Sequence, residues 1–223
     1  MIAGYRRGPR VAVFDLDGTL FDSLPTVLRA IRYALEPFDS HPLTMEIFPR
    51  LGGPPERFFP TLLRNPEDTA AALERLSTFI AEHGWNASPF AGVPELLATL
   101  RRAGVHTAVW TGRDRISTLE LVNRHSLGPL LDAVVCGDDF PTHKPHPEGM
   151  RVLLARFEAH AADAIFAGDS DVDALSGAAS GVRTILIQTG RTLPDDIASK
   201  VWRIVSRPDE AYGLVLAWAS DGA

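Results

Sequence analysis

Val11-Ala12-Val13-Phe14-Asp15-Leu16-Asp17-Gly18-Thr19-Leu20 carries an apolar strand into two aspartates, one residue apart, and onto a Gly-Thr turn. Successive strand residues point to opposite faces, so Asp15 and Asp17 fall on the same side of Leu16 and can share one site beyond the strand's C-terminal end. Two like charges held close repel unless a cation or a shared proton intervenes. The pair therefore reads as a metal-assisted site, with one carboxylate as nucleophile and the other as acid/base. Alone, Asp-Leu-Asp-Gly-Thr reads equally well as a strand-ending turn, because Asp and Gly favour turns. The rest of the chain decides between the two.

From Pro89 onward, short β-rich apolar runs alternate with helical patterns. Val105–Trp110, Ala133–Cys136, Ala164–Ala167 and Arg183–Ile187 are four further candidate strands, each bounded by Gly, Asp or Pro. Between them, Leu96, Leu97 and Leu100 mark a helix opened near Pro94 and closed at Gly104. Ile116, Leu119 and Val122 mark a second helix, and Met150, Leu153, Leu154 and Phe157 a third. Alternating β and α units predict an α/β fold, a Rossmann-like parallel sheet with helices on both faces and ligands at the C-terminal strand ends.

Residues 22–88 interrupt this alternation. Leu24, Val27, Leu28, Ile31 and Leu35 keep helical spacing behind a candidate Ser23 cap, and Asn65-Pro66 opens a helix carrying Leu73, Leu76 and Ile80. Shorter helical pieces lie at 45–51 and 56–63, separated by Gly52-Gly53-Pro54-Pro55. The expectation is an all-α cap of about four helices over 22–88, inserted into a core made of 1–21 and 89–223 and placed to act as a lid.

The other strand ends carry matching chemistry. Thr111-Gly112-Arg113 offers a hydroxyl, a backbone N–H without a side chain beside it, and a fixed positive charge, donors that suit an anionic oxygen. Lys144 stands between residues that restrict the backbone, in Thr142-His143-Lys144-Pro145-His146-Pro147, where an ammonium could hold a phosphate. Gly168-Asp169-Ser170-Asp171-Val172-Asp173 brings more acids to a junction of strand and helix. Asp169 and Asp173 can face one pocket, and capping of the helix by this run is compatible with metal binding. An oxygen-rich set of this kind suits Mg²⁺ better than zinc.

Taken together, Asp15-Leu16-Asp17-Gly18-Thr19-Leu20, Thr111, Lys144-Pro145 and Gly168–Asp173 resemble the four ordered motifs of the haloacid dehalogenase-like hydrolase superfamily. The similarity is to its phosphoglycolate phosphatase-like branch, with a helical (C1-type) cap, and it extends to Phe90–Leu97, which resembles the family's return from cap to core. The resemblance implies that Asp15 attacks phosphorus to form an aspartyl-phosphate, and that Asp17 protonates the leaving oxygen and later activates water. It implies Mg²⁺ held by Asp15, the backbone carbonyl of Asp17 and Asp169, with Asp173 as a ligand or an acceptor behind them. It also implies that Thr111 and the Gly112 N–H bind phosphoryl oxygens, and that Lys144 orients Asp15. The family's dehalogenases usually lack an aspartate at position 17, so its presence favours phosphate chemistry. The second motif departs from the branch's Thr-Asn pattern, leaving Arg113 either to an anionic substrate end or to solvent. Arg57, Arg50 and Arg64 are the cap's candidate substrate contacts.

The expected activity is hydrolysis of a small phosphorylated metabolite, phosphoglycolate-like or a sugar phosphate. A phosphomutase of the β-phosphoglucomutase type and a non-catalytic phospholigand-binding module are the alternatives. The 223 residues with 45% hydrophobic content support a packed core, and a formal charge of −6 disfavours nucleic acid as a partner. A single cysteine, Cys136, and the absence of an export signal or apolar span lead to the expectation of a cytoplasmic protein with no membrane partner. No heptad pattern argues for assembly.

Overall fold

In the computed structural model, residues 8–43, 54–84 and 86–221 are described. Six parallel strands form one sheet among them: β1 (Val11–Phe14), β2 (His106–Trp110), β3 (Ala133–Val135), β4 (Ala164–Gly168), β5 (Arg183–Ile187) and β6 (Arg203–Val205), in the order β3-β2-β1-β4-β5-β6. The chain builds outward from β1 to one side, then returns to lay β4 on its other edge. The point where the strand order reverses therefore lies at the C-terminal ends of β1 and β4, where a crevice opens in such sheets.

Burial explains why β1 is central. All four of its residues are fully buried, with Ala12 and Phe14 packed into one apolar cluster and Val11 and Val13 into another. The period of two thus feeds both faces of the sheet. The first face is covered by α4 (Val93–Arg102), α5 (Arg115–Arg124) and α9 (Pro208–Ser220), through Leu96, Leu97, Leu121, Val215 and Trp218. The second face is covered by α6 (Glu148–Arg156), through Met150 and Leu153. Full burial of side chains such as Phe14 and Phe166 contributes roughly 1.5–3 kcal/mol each. The remaining helices of the sheet layer are α7 (Asp171–Ser180) and the short α8 (Asp195–Ala198).

Between β1 and α4 lie α1 (Leu24–Leu35), α2 (Pro55–Leu62) and α3 (Thr69–His83), with a 3₁₀ turn over Pro66–Asp68. These helices share a separate apolar cluster that includes Ile31, Leu35, Phe59, Leu76 and Phe79. Where the chain leaves and rejoins the sheet layer, the Asp22 N–H donates to the Ser88 carbonyl (2.9 Å) and the Phe90 N–H to the Leu20 carbonyl (2.9 Å). The two connections therefore run side by side. The helical piece expected at 45–51 lies outside the described residues.

Three expectations need correction. A sixth strand, β6, extends the sheet at its edge; Arg203 and Ile204 are exposed there, so the segment has no buried run to betray it. In α5 the buried face is Thr118, Leu121 and Val122, while Ile116 is 82% exposed. Asp114 sets that register by accepting the Ser117 N–H at 2.9 Å. Ser23 precedes α1 but makes no capping bond; its hydroxyl donates to the Asp17 carboxylate instead. No helix among the described residues is long and apolar enough to cross a membrane.

Candidate active site

At the end of β1 the Asp15 N–H still reaches the Ala167 carbonyl of β4 (2.8 Å), so the ladder anchors Asp15 before the chain turns. The turn closes through Gly18, whose φ is +80°. A Cβ there would run into the Asp169 carboxylate, so glycine serves both the dihedral and the close approach of two strand ends. The Tyr212 hydroxyl on α9 donates to the Thr19 carbonyl and ties the same loop down. Gly18→Ala is expected to cost about 1–3 kcal/mol of stability through backbone strain and to displace Asp169. Thermal unfolding and metal titration of that variant would read the two effects separately.

A cavity of about 360 Å³ opens in front of this turn, and Asp15, Asp17, Thr111, Gly112, Arg113 and Lys144 line it. Asp169 and Asp173 line the same space. The strand ends therefore bring together every core residue expected of the site. Arg57 is not among the lining residues; it is exposed on α2. Arg64 pairs at the surface with Asp39 (3.0 Å), and Arg50 lies outside the described residues. Phe59 is packed in the helical cluster, whereas Phe58 borders the cavity.

Lys144 is buried beneath the carboxylates. Its ammonium donates to Asp15 Oδ1 (2.8 Å) and Asp173 Oδ1 (2.6 Å), and sits 5.0 Å from the centre of the Trp110 ring and 5.1 Å from that of Phe166. Burial would depress the lysine pKa, but Asp15 and Asp173 outweigh it and raise it, so the cation is retained. The Lys144–Pro145 peptide is cis.

Asp173 is occupied on both oxygens. While Oδ1 holds Lys144, Oδ2 accepts from the Ser170 N–H (3.0 Å) and the Ser170 hydroxyl (2.5 Å), and the Ser170 hydroxyl in turn accepts the Asp173 N–H (3.1 Å). This is a capping box at the start of α7. In this arrangement Asp173 positions Lys144 and the helix together.

Asp17 is held differently. Arg113 grips it as a fork, with Nε 3.0 Å from Oδ2 and a terminal nitrogen 2.5 Å from Oδ1, and Ser23 adds its hydroxyl. Burial pushes the Asp17 pKa up, but Arg113 and Ser23 outweigh it and hold the carboxyl below its usual value. Of the two sequence alternatives for Arg113, substrate or solvent, this arrangement adopts neither: its side chain is 4% exposed and its partner is Asp17. Beside it, Thr111 is buried, and its Oγ1 accepts the Arg113 N–H at 3.1 Å.

Asp15, Asp169 and Asp173 each offer a carboxylate oxygen, all within 4.8 Å of one another. Burial together with the neighbouring carboxylates outweighs Lys144, raising the Asp15 pKa to about 7 and that of Asp169 well above its ordinary value. Asp15, Asp17, Asp169 and Asp173 stand with Lys144 and Arg113 at the centre of the site, so that carboxylates outnumber cations around a set of hard oxygen donors. These residues fit a divalent oxygen-seeking ion such as Mg²⁺.

Two features escaped the sequence reading. Arg191 borders the cavity after β5, donating to Asp171 and to the Asp169 carbonyl (3.1 Å). Its place directly beyond a strand, in Thr189-Gly190-Arg191, is the signal that would have found it. The aromatic platform under Lys144 joins β2 to β4, and such a pairing of distant strands has no local signature.

Residues 12–187 match the family model described as haloacid dehalogenase-like hydrolase. The chain is 30% identical over 196 residues to phosphoglycolate phosphatase 1 of Pseudomonas aeruginosa, covering 82% of this chain and 71% of that protein. It is also 30% identical over 192 residues to the plasmid phosphoglycolate phosphatase of Cupriavidus necator, covering 82% of each. Among solved structures, one described as a haloacid dehalogenase-like hydrolase from Bacteroides fragilis is similar with a TM-score of 0.78 and 25% identity, over 91% of this chain and 99% of that one. Ordered strand-end motifs, a shared cavity and a match over most of the length lead to one assignment: the chain belongs to the haloacid dehalogenase-like hydrolase family.

Proposed function

We propose that the chain is a Mg²⁺-dependent phosphatase of small phosphomonoesters, working through an aspartyl-phosphate on Asp15. The observation that carries this reading is the setting of Asp15 at the strand crossover, facing the cavity, with Lys144 at 2.8 Å and Thr111 and Gly112 lining the same space. A lone carboxylate would repel a phosphate dianion, and Lys144 offsets that repulsion. Asp15, Asp169 and the Asp17 carbonyl are the groups proposed to hold Mg²⁺, which when bound supplies positive charge toward the phosphoryl oxygens. Asp173 acts on Lys144.

In the first step an Asp15 oxygen bonds to phosphorus as the bond to the leaving oxygen breaks, and Asp17 delivers a proton to that oxygen. In the second, water attacks the phosphoryl group, Asp17 takes its proton, and Asp15 is released. Asp17 must leave the Arg113 fork to carry a proton, since the fork favours its ionised form. Residues 22–88 are proposed to act as a lid hinged at the paired connections around Asp22 and Ser88. Ser23 lies beside that hinge and bonds to Asp17, so lid position and acid/base position are linked.

The relatives named phosphoglycolate phosphatases support hydrolysis over transfer. A mutase must hold a second phosphate; beyond Lys144 the cations that border the cavity are Arg191, engaged with Asp171, and Arg113, engaged with Asp17 until that carboxyl leaves the fork. A reducing, cytoplasmic setting accords with the single buried thiol, Cys136. With Mg²⁺ present, the protein is expected to release p-nitrophenol from p-nitrophenyl phosphate. EDTA should bring that rate to background, and excess Mg²⁺ should restore it. Turnover indifferent to EDTA would remove the metal from the proposal, and no turnover with Mg²⁺ would favour the binding-module alternative.

A further inference from the structure

The cavity before Asp15 has two unlike walls. On the sheet side stand the aspartates and their cations: Lys144 between Asp15 and Asp173, Arg113 forked on Asp17, and Arg191 on Asp171. The opposite wall, from α1, α2 and α3, presents Val27, Ile31, Phe58, Leu76 and Ile80. Among the described residues its charge is the Glu56 carboxylate, its hydroxyl is Ser77, and it offers no cation.

Volume and charge point the same way. About 360 Å³ is room for about a dozen waters at ~30 Å³ each. A phosphoryl group with a two-carbon acid leaves much of that space to water lying on leucine and isoleucine, whereas an apolar group displaces it and gains in proportion to the area covered. Against the described residues of this wall a substrate carboxylate would lose its hydration with Glu56 as the charge it meets. Sugar hydroxyls would likewise find few partners there.

We infer that the substrate is the phosphate monoester of an apolar alcohol, with an aromatic or branched-alkyl group seated against the α1–α3 wall. The inference rests on the phosphatase reading for the placement of the phosphoryl group at Asp15. The character of the facing wall is independent of that reading.

The test is calorimetric titration of the full chain, with Mg²⁺ present, using two non-hydrolysable phosphonates. These are 3-phenylpropylphosphonate, an isostere of 2-phenylethyl phosphate, and 3-phosphonopropionate, an isostere of phosphoglycolate. The phenyl compound is expected to bind at least about tenfold more tightly, equivalent to about 1.4 kcal/mol. Equal affinities, tighter binding of the carboxylate, or no binding of either would overturn the inference. Ile80→Arg should reverse the order by placing a cation on the apolar wall. Turnover of 2-phenylethyl phosphate and phosphoglycolate, measured alongside, separates the two levels. Preference for phosphoglycolate would overturn the apolar substrate and leave the phosphatase reading standing, whereas inertness toward every phosphomonoester would overturn that reading and leave the binding ratio to decide the wall.

Discussion

Asp15→Asn is expected to lower kcat on p-nitrophenyl phosphate by about four orders of magnitude or more, in the range that loss of a covalent nucleophile produces, and to leave the protein folded. The stability change should be favourable in metal-free protein at pH 8. Asp15 is buried with Asp173 and Asp17 nearby, and these influences outweigh Lys144, raising its pKa to about 7. A carboxyl whose folded pKa lies above its unfolded value contributes stability at low pH that is lost as pH rises through the folded pKa. In EDTA, wild type should therefore lose more stability than the variant as pH rises through about 7, since Asp169 titrates in both proteins and the asparagine does not titrate. Its carbonyl can still accept from Lys144, which keeps Asp173 in any case at 2.6 Å. Thermal unfolding of both proteins at pH 5.5 and 8 measures the gap. Turnover within tenfold of wild type would remove Asp15 as nucleophile, and a melting point well below wild type at pH 8 would overturn the electrostatic argument.

Much of the fold was legible because its strands are buried on both faces, and burial on both faces writes itself as short unbroken apolar runs. Val11–Phe14, Ala164–Gly168 and Arg183–Ile187 each carry at most one exposed residue. The edge strand Arg203–Val205 has no buried face of that kind, and its pairing with β5 depends on tertiary context. The site was legible to the extent that each chemical group follows directly on a strand end. What each side chain touches was not. Arg113 could be placed beside Thr111 from sequence, yet its partner lies 96 positions away. Ser23 looked like a helix cap because the residue type is right, but the partly buried Asp17 carboxylate competes for the same hydroxyl and takes it.

Lys144→Met should fail in the opposite sense from Asp15→Asn, although the two residues share one ion pair. Methionine fills much of the lysine's volume and can lie on Trp110 and Phe166 as the alkyl stem does, so packing loss is small and charge decides the outcome. Removing the cation leaves Asp15, Asp169 and Asp173 together without their buried counter-charge. Breaking a buried pair in this way costs about 3–5 kcal/mol, which for a chain of this size is a fall in melting temperature of roughly 10 °C. At pH 5.5 the loss should shrink, because Asp15 and Asp169, whose folded pKa values are already raised, can protonate and relieve the repulsion. Mg²⁺ should recover much of the loss at pH 8, since a divalent cation replaces the missing charge. Activity should fall about 10²–10³-fold with Mg²⁺ present, the scale for losing one electrostatic contact to the developing charge. A simple salt-bridge account predicts that both variants are destabilised, since each removes one partner. An excess of carboxylates predicts one gain and one loss at pH 8, converging toward wild type at pH 5.5, and unfolding curves for the two variants in EDTA decide between the accounts.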